Sequence, residues 1–440
     1  MTEKYDFTIQ TLGEANIPSP IKMSKIRGDQ KVNYVPDDEF YTYDPYARKM
    51  GEHPQFSREE CIEKAGPREN IYFNPGHVHA GIVTCGGLCP GLNNVIRAIV
   101  RVLWYRYGVR RITGIRNGYR GFLAEYNLST IELNPEVVED IHQKGGTMLG
   151  SSRGGSKTNE IADEVMRMNL NILFTIGGDG TQRGALLLAE ELERRNYKLS
   201  VVGIPKTIDN DLSFIQKSFG FETAVSLAES AVQSAYVEAF DAINGIGLVK
   251  LMGRESGFIA AHTALAMSAV NFCLIPEIPF DLEGPRGLYS CIEARLKEKK
   301  YVVIVVAEGA GQEHLEATNT TDLSGNKKLR DIGQFLNLKI KEHFRGTDME
   351  VSLKYIDPSY MIRSAPAAAN DSIYCLRLGT NAVHAAMAGK TKLLMSQLND
   401  HFVHVPIEMA VSQRNSVDPE SSLWTSVLEA TRQPESMKNE

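Results

Sequence analysis

The chain has little cysteine and no sign that it is used for cross-linking or metal binding. Its 440 residues carry six (Cys61, Cys85, Cys89, Cys273, Cys291, Cys375), none spaced Cys-x-x-Cys, so neither a disulfide framework nor a zinc site is suggested. Ten histidines are scattered without a His-Glu-x-x-His. No apolar run approaches the roughly 20 residues needed to span a bilayer. The N-terminus, Met1-Thr2-Glu3-Lys4-Tyr5-Asp6, lacks the apolar core of a signal peptide, and Met437-Lys438-Asn439-Glu440 is no peroxisomal address. A net charge of −6 argues against nucleic acid or an anionic membrane as the main partner. It leaves room for phosphorylated substrates, which need only a local basic pocket. A cytoplasmic protein with no nucleic-acid and no membrane partner is expected. The composition, 42% hydrophobic and 23% charged, is that of a globular protein, and the length allows two or three domains.

Residues 1 to 75 differ from the rest. Pro18, Pro20, Pro36, Pro45, Pro54, Pro67 and Pro75 punctuate a polar stretch with little periodicity. It reads as an extended arm packing on the body or on a neighbouring subunit. From His77 onward strands and helices alternate. Apolar runs at 79–84, 112–115, 172–176, 201–204, 247–251 and 301–307 predict strands, and helical periodicity marks 181–195, 223–238 and 330–343. The 301–307 run has no polar alternation, as expected of a parallel strand covered on both faces. Repeated βα units imply an α/β fold of doubly wound parallel sheets. Residues 312–328, rich in Thr, Asn, Asp and Gly, read as a surface loop.

Three turns at strand ends carry the chemistry. Gly86-Gly87-Leu88-Cys89-Pro90-Gly91-Leu92-Asn93-Asn94 follows the first strand and opens a helix. Its glycines let backbone approach an anion, and the helix start offers free N–H groups. Cys85 and Cys89 beside it read as small buried thiols. The second turn, Gly177-Gly178-Asp179-Gly180-Thr181, sets a carboxylate where a phosphate-bound Mg²⁺ needs one. The third, Pro205-Lys206-Thr207-Ile208-Asp209-Asn210-Asp211, sets two carboxylates around a small amide. One of them is placed to accept a proton from a substrate hydroxyl. Adjacent parallel strands deliver such loops to one crevice.

Basic residues complete the set. Arg153 lies in Gly150-Ser151-Ser152-Arg153-Gly154-Gly155, Arg254 in Met252-Gly253-Arg254-Glu255-Ser256-Gly257, and Arg363 follows Tyr360-Met361-Ile362. Arginine's planar fork suits phosphate. Taken singly, each arginine is more commonly explained as a surface ion pair.

Taken together and in this order, the motifs resemble the 6-phosphofructokinase family over residues 77 to 410. The resemblance implies two α/β domains with the active site between them, plus the N-terminal arm. Its boundaries would be 1–75 for the arm, 76–220 with 362–405 for nucleotide binding, 221–361 for the sugar phosphate, and 406–440 for a C-terminal extension. It implies ATP-dependent phosphorylation of fructose 6-phosphate at the 1-hydroxyl, with Mg²⁺ as cofactor, in an allosteric homotetramer. Carried over by motif, Gly87, Arg153, Gly154, Gly178, Asp179, Gly180 and Thr181 hold the nucleotide, with Asp179 facing the metal. Thr207, Ile208, Asp209, Met252, Gly253, Arg254, Glu308, Tyr360, Met361, Ile362 and Arg363 meet the sugar phosphate. Asp209 is the expected proton acceptor, assisted by Arg153, Lys206 and Gly180.

Donor choice turns on two positions. Pyrophosphate users of this family carry Asp where this chain has Gly180 and Lys where it has Lys206. Short bacterial ATP users have Gly at both. A carboxylate at 180 would crowd and repel the nucleotide α-phosphate, so Gly180 favours ATP, with the pyrophosphate-dependent phosphotransferase as the alternative. The mixture resembles the long ATP-dependent enzymes of kinetoplastids and plants. Gly245 and Lys354 stand where short bacterial members bring two further arginines from a neighbouring subunit; Lys354 could still supply charge there, but the full inter-subunit clamp and its cooperativity do not carry over with the resemblance.

Overall fold

The computed structural model describes residues 5–43, 58–154, 157–316, 320 and 329–439. The chain divides into two compact units. The first contains Met1–Thr207, Leu212–Gly220 and Ala365–Arg414; the second contains Ile208–Asp211, Phe221–Ser364 and Asn415–Glu440. The short stretch Ile208–Asp211, in the third turn, therefore clusters with the second unit.

Five parallel strands form the centre of the first unit, in the spatial order Leu393–Leu398, Ser200–Pro205, Ile172–Gly177, His79–Thr84, Arg111–Ile115. Numbered along the chain, that order is 5-4-3-1-2, so the winding reverses between His79–Thr84 and Ile172–Gly177. Ligands of open α/β sheets bind at such a reversal, beyond the carboxyl ends of the strands. Those two strands end in the first two glycine turns. Leu173, Val201 and Leu394 face Ala185, Leu188 and Leu192 of helix Asp179–Arg194. Helix Ala369–Met387 packs against helix Leu92–Val102 and strand Ser200–Pro205. With both faces covered, the strands have no polar alternation to show.

The edges of this sheet are antiparallel. Leu393–Leu398 pairs with His401–Pro406 as a hairpin, and Cys61–Lys64 and Phe40–Thr42 extend the sheet beyond it. The N-terminal stretch thus joins the body of this unit. Phe7 is fully buried, against Tyr43 and Phe214, and Gln10–Thr11 pairs with Lys390–Thr391. The stretch also brings charge inside. Glu63 accepts from Arg68 at 2.8 Å and pairs with Lys390 at 2.6 Å and His404 at 3.1 Å, all four residues being buried.

In the second unit four parallel strands run in the order Phe272–Leu274, Tyr301–Ala307, Gly245–Leu251, Ser352–Ile356. The expected loop at 312–328 falls mostly outside the described residues; Gln312–His314 makes one 3₁₀ turn. The C-terminal residues join this unit: helix Ser422–Thr431 packs on helix Phe258–Ala266, and Met437 is buried. Among the described residues no helix is long and apolar enough to cross a membrane.

Candidate functional site

In the first unit the expected donor residues gather around Lys206. Its ammonium group is buried and donates to the Gly87 carbonyl at 2.9 Å. A Cβ at Gly87 would lie 3.5 Å from the Arg153 guanidinium, and one at Gly178 would lie 3.3 Å from the Lys206 carbonyl. Gly87, Arg153, Gly178 and Lys206 are therefore neighbours, as the strand order requires. The first turn is fixed from below: the Gly86 N–H donates to Ser152 O at 3.0 Å, and Ser151 Oγ donates to Gly86 O at 2.6 Å. Gly86 and Gly91 have φ of 86° and 104°, the left-handed region that glycine enters without strain. Cys85 and Cys89 are buried, and burial pushes the Cys85 thiol up to about 12, so these are packing residues.

Asp179 opens helix Asp179–Arg194, with Gly178 as its N-cap residue. A carboxylate in the first turn is favoured by the helix dipole. Both carboxylate oxygens lie 3.1 Å from Arg183 Nε, one turn on. Among the described residues no group of three or more His, Cys, Asp or Glu could hold a metal. A single carboxylate still fits Mg²⁺, which keeps several waters and is bound through one or two carboxylates plus substrate phosphates. Gly180 differs from the other glycines here: a Cβ on it would meet no protein atom within 4 Å, and its φ lies outside the left-handed region. Neither packing nor backbone requires glycine at that helical position, where it costs about 1 kcal/mol relative to alanine.

The sequence reading missed the residues under this turn. Buried Gln182 donates through Nε2 to the carbonyls of Thr175 (3.1 Å), Gly177 (3.0 Å) and Ile204 (3.3 Å), tying two strand ends together. Tyr119 Oη donates to Thr181 O at 2.8 Å. Gln182 had a signal: it lies three residues before Ala185 on the helix face that Leu188 and Leu192 bury, so it is a polar residue at a core position.

In the second unit the acceptor residues come from adjacent strand ends. Leu251 and Ala307 are paired, so Met252 and Glu308 follow side by side. The Glu308 N–H donates to Leu251 O at 2.9 Å and the Gly309 N–H to Gly253 O at 3.0 Å. A Cβ at Gly309 would run into the Arg254 carbonyl, so only glycine lets the Met252–Gly257 loop pass. Glu277 holds the far end of that loop, accepting from the Gly257 N–H at 2.9 Å and the Val417 N–H at 2.7 Å.

Asp209, the expected proton acceptor, lies in this unit. Asn210 beside it takes φ 57°, a conformation asparagine tolerates, which explains the small amide between two acids. Ser256 Oγ donates to Asp209 O at 3.0 Å. The carboxyl is half-buried, and its Oδ1 is buried with no hydrogen-bond partner among the described residues. Burial raises its pKa to about 7, with the Asp211 and Glu308 charges adding to the rise and the Arg363 charge and an Arg254 backbone hydrogen bond opposing it. A carboxyl poised there can hold or release a proton near neutrality.

The remaining expected residues are placed unevenly. Ile362, Met252 and Ile208 are buried, whereas Tyr360 and Met361 are exposed. Lys354 is exposed, and Gly245 is closed to a side chain by the Ala239 carbonyl. Thr207 belongs to the first unit, where its carbonyl accepts from Ser218 Oγ.

Comparison with known proteins identifies the family of the chain. The family described as Phosphofructokinase matches residues 79–386. An ATP-dependent 6-phosphofructokinase of Borreliella burgdorferi is 55% identical over 99% of both chains. ATP-dependent 6-phosphofructokinase 7 of Arabidopsis thaliana is 48% identical over 95% of this chain and 85% of its own. The ATP-dependent 6-phosphofructokinase of Trypanosoma brucei brucei is 44% identical over 97% and 87%. Among solved structures, a pyrophosphate-dependent phosphofructokinase of Marinobacter aquaeolei superposes with a TM-score of 0.66 at 20% identity, covering 82% of this chain and 92% of its own. At that identity the likeness is one of fold.

Proposed function

Because the chain belongs to the phosphofructokinase family, we propose that it transfers the terminal phosphoryl group of ATP to the 1-hydroxyl of fructose 6-phosphate, giving fructose 1,6-bisphosphate and ADP. The observation that carries the chemistry is Asp209, with an unpartnered buried oxygen and a pKa near neutrality. Asp209 takes the hydroxyl proton while the sugar oxygen bonds to the γ-phosphorus and the bond to the ADP bridging oxygen breaks. Glu308 orients the sugar hydroxyls, and Arg254 and Arg363 bind its 6-phosphate through the guanidinium fork.

On the donor side the backbone of Gly87 and of Gly178–Thr181 cradles the phosphates, with Arg153 neutralising charge on the group in transfer. Lys206 holds the Gly87 turn in place through its carbonyl. Asp179 would hold Mg²⁺, which when bound neutralises phosphate charge and orients the donor. Gly180 supports ATP over pyrophosphate, because the space a side chain would take there is open. The same reading carries a cytoplasmic homotetramer under allosteric control; sedimentation of the purified chain tests the tetramer.

³¹P NMR of the product formed from fructose 6-phosphate and Mg-ATP tests the reaction. The reading expects phosphorus on both C1 and C6, and a product without phosphate on C1 would contradict it.

A further inference from the structure

Lys250 is an expensive residue for its place. It lies in strand Gly245–Leu251, where Ile246, Leu248, Val249 and Leu251 are fully buried, and is itself nine-tenths buried. An apolar side chain would serve the strand without the cost of removing an ammonium group from water. Two carboxylates at the rim keep the group charged: Asp331 at 3.0 Å and Asp357 at 2.8 Å. Burial works against the charge, but the two carboxylates outweigh it and raise the Lys250 pKa.

The two carboxylates do different things. Asp331 is the N-cap of helix Ile332–Arg345, its Oδ1 accepting from the Gln334 N–H at 3.0 Å. Asp357 begins the segment that ends in Arg363. Its Oδ1 accepts from the Ser359 N–H at 3.1 Å and from Ser359 Oγ, starting the short helix Ser359–Arg363. At the other end of that helix Arg363 Nε donates to Met252 Sδ at 3.3 Å. Met252 lies two residues after Lys250, and alternate residues of an extended chain share a side. One strand end thus grips the Asp357–Arg363 segment twice, by charge at its start and by sulfur at its finish. Between the grips Pro358, Ser359 and Ile362 are buried, while Tyr360 and Met361 are exposed.

We propose that Lys250 is a positioning residue for the acceptor: through Asp357 it sets the register of the Ser359–Arg363 helix and so aims Arg363 at the sugar phosphate. The functional part rests on reading Arg363 as a phosphate ligand. The Asp331 arm of the same cluster serves the fold and leaves substrate affinity alone.

Two near-isosteric variants separate the arms, each of which removes the charge of one partner of Lys250 and leaves the other. In Asp357→Asn the KM for fructose 6-phosphate rises about tenfold while kcat and the KM for ATP stay within about threefold, the signature of lost binding rather than lost chemistry. In Asp331→Asn the melting temperature falls and the KM for fructose 6-phosphate does not move. Lys250→Arg keeps most of the affinity that Lys250→Met loses. Hydrogen exchange of the 359–364 amides, read without substrate, speeds up in Asp357→Asn and not in Asp331→Asn. Equal KM changes in the two carboxylate variants, or none in either, would overturn the proposal, as would equal exchange. Should the wild-type chain fail to phosphorylate fructose 6-phosphate, the proposed reaction falls, and the exchange arm still decides whether Lys250 sets the helix.

Discussion

The proposed donor half in the first unit and the proposed acceptor half in the second are built from opposite materials. The first is made of glycine and backbone: Gly87, Gly178 and Gly180 carry no side chain, Asp179 and Arg153 are at least partly open to solvent, and its buried charge, Lys206, is held on the Gly87 carbonyl. The second is made of charge at close quarters, with burial and the Asp211 and Glu308 charges raising Asp209 and the Arg363 charge opposing them. A polyphosphate brings its own charge and needs room and N–H groups. A neutral hydroxyl brings none, so the protein must supply a base whose pKa is moved toward neutrality. The difference fits the substrate proposed for each half.

The comparison breaks most sharply at Asp209. Asp209→Asn is expected to lower kcat by about a thousandfold, the scale of losing a general base. ATP binding, read by calorimetry, should hold, because the variant touches only the acceptor half. A kcat within tenfold of wild type would remove Asp209 from the role.

Gly180→Asp is the matching test of the donor half. The added carboxylate enters space free of protein atoms, at a helix start where acidic residues are favoured. The melting temperature should hold or rise slightly while kcat/KM for ATP drops by about a hundredfold, or about 2.7 kcal/mol. An unchanged ATP rate would contradict the argument from room.

The pH profile sharpens the acceptor side. With the Asp209 pKa raised to about 7 by burial and its acidic neighbours, kcat/KM should fall about tenfold per unit as pH drops below 7. Stability runs the other way. The folded pKa exceeds the unfolded one, so the folded state holds the extra proton between pH about 4 and 7, and stability declines as pH rises through that window. Asp209→Asn should flatten this slope in melting curves taken from pH 5 to 8.

The smallest expected effect is Tyr119→Phe, which removes one buried hydrogen bond to Thr181 O. It should cost about 1 kcal/mol in denaturant unfolding and raise the KM for ATP no more than a few-fold, leaving that for fructose 6-phosphate unchanged.

Much of this was legible in the chain because strand ends and glycine turns are local. The 79–84 and 301–307 runs are strands over those residues, and all three acidic or glycine turns fall at strand ends. Less legible was whatever depends on partners distant in sequence. The hairpin Leu393–Leu398 with His401–Pro406 and the N-terminal strands that extend it have no βα rhythm to announce them. Lys206 stood out as a mark of donor type and as an expected catalytic residue, but not as a brace, yet its ammonium group is buried and holds the Gly87 carbonyl. Lys250 passed as one polar residue in a strand, because its two carboxylates come from 81 residues away and further. Gln182 alone broke the pattern of its helix face visibly enough to have been found.

The most direct test is the initial rate of fructose 1,6-bisphosphate formation from fructose 6-phosphate and Mg²⁺, with ATP or pyrophosphate as donor. The account predicts turnover with ATP and none above background with pyrophosphate; turnover with pyrophosphate alone would contradict it.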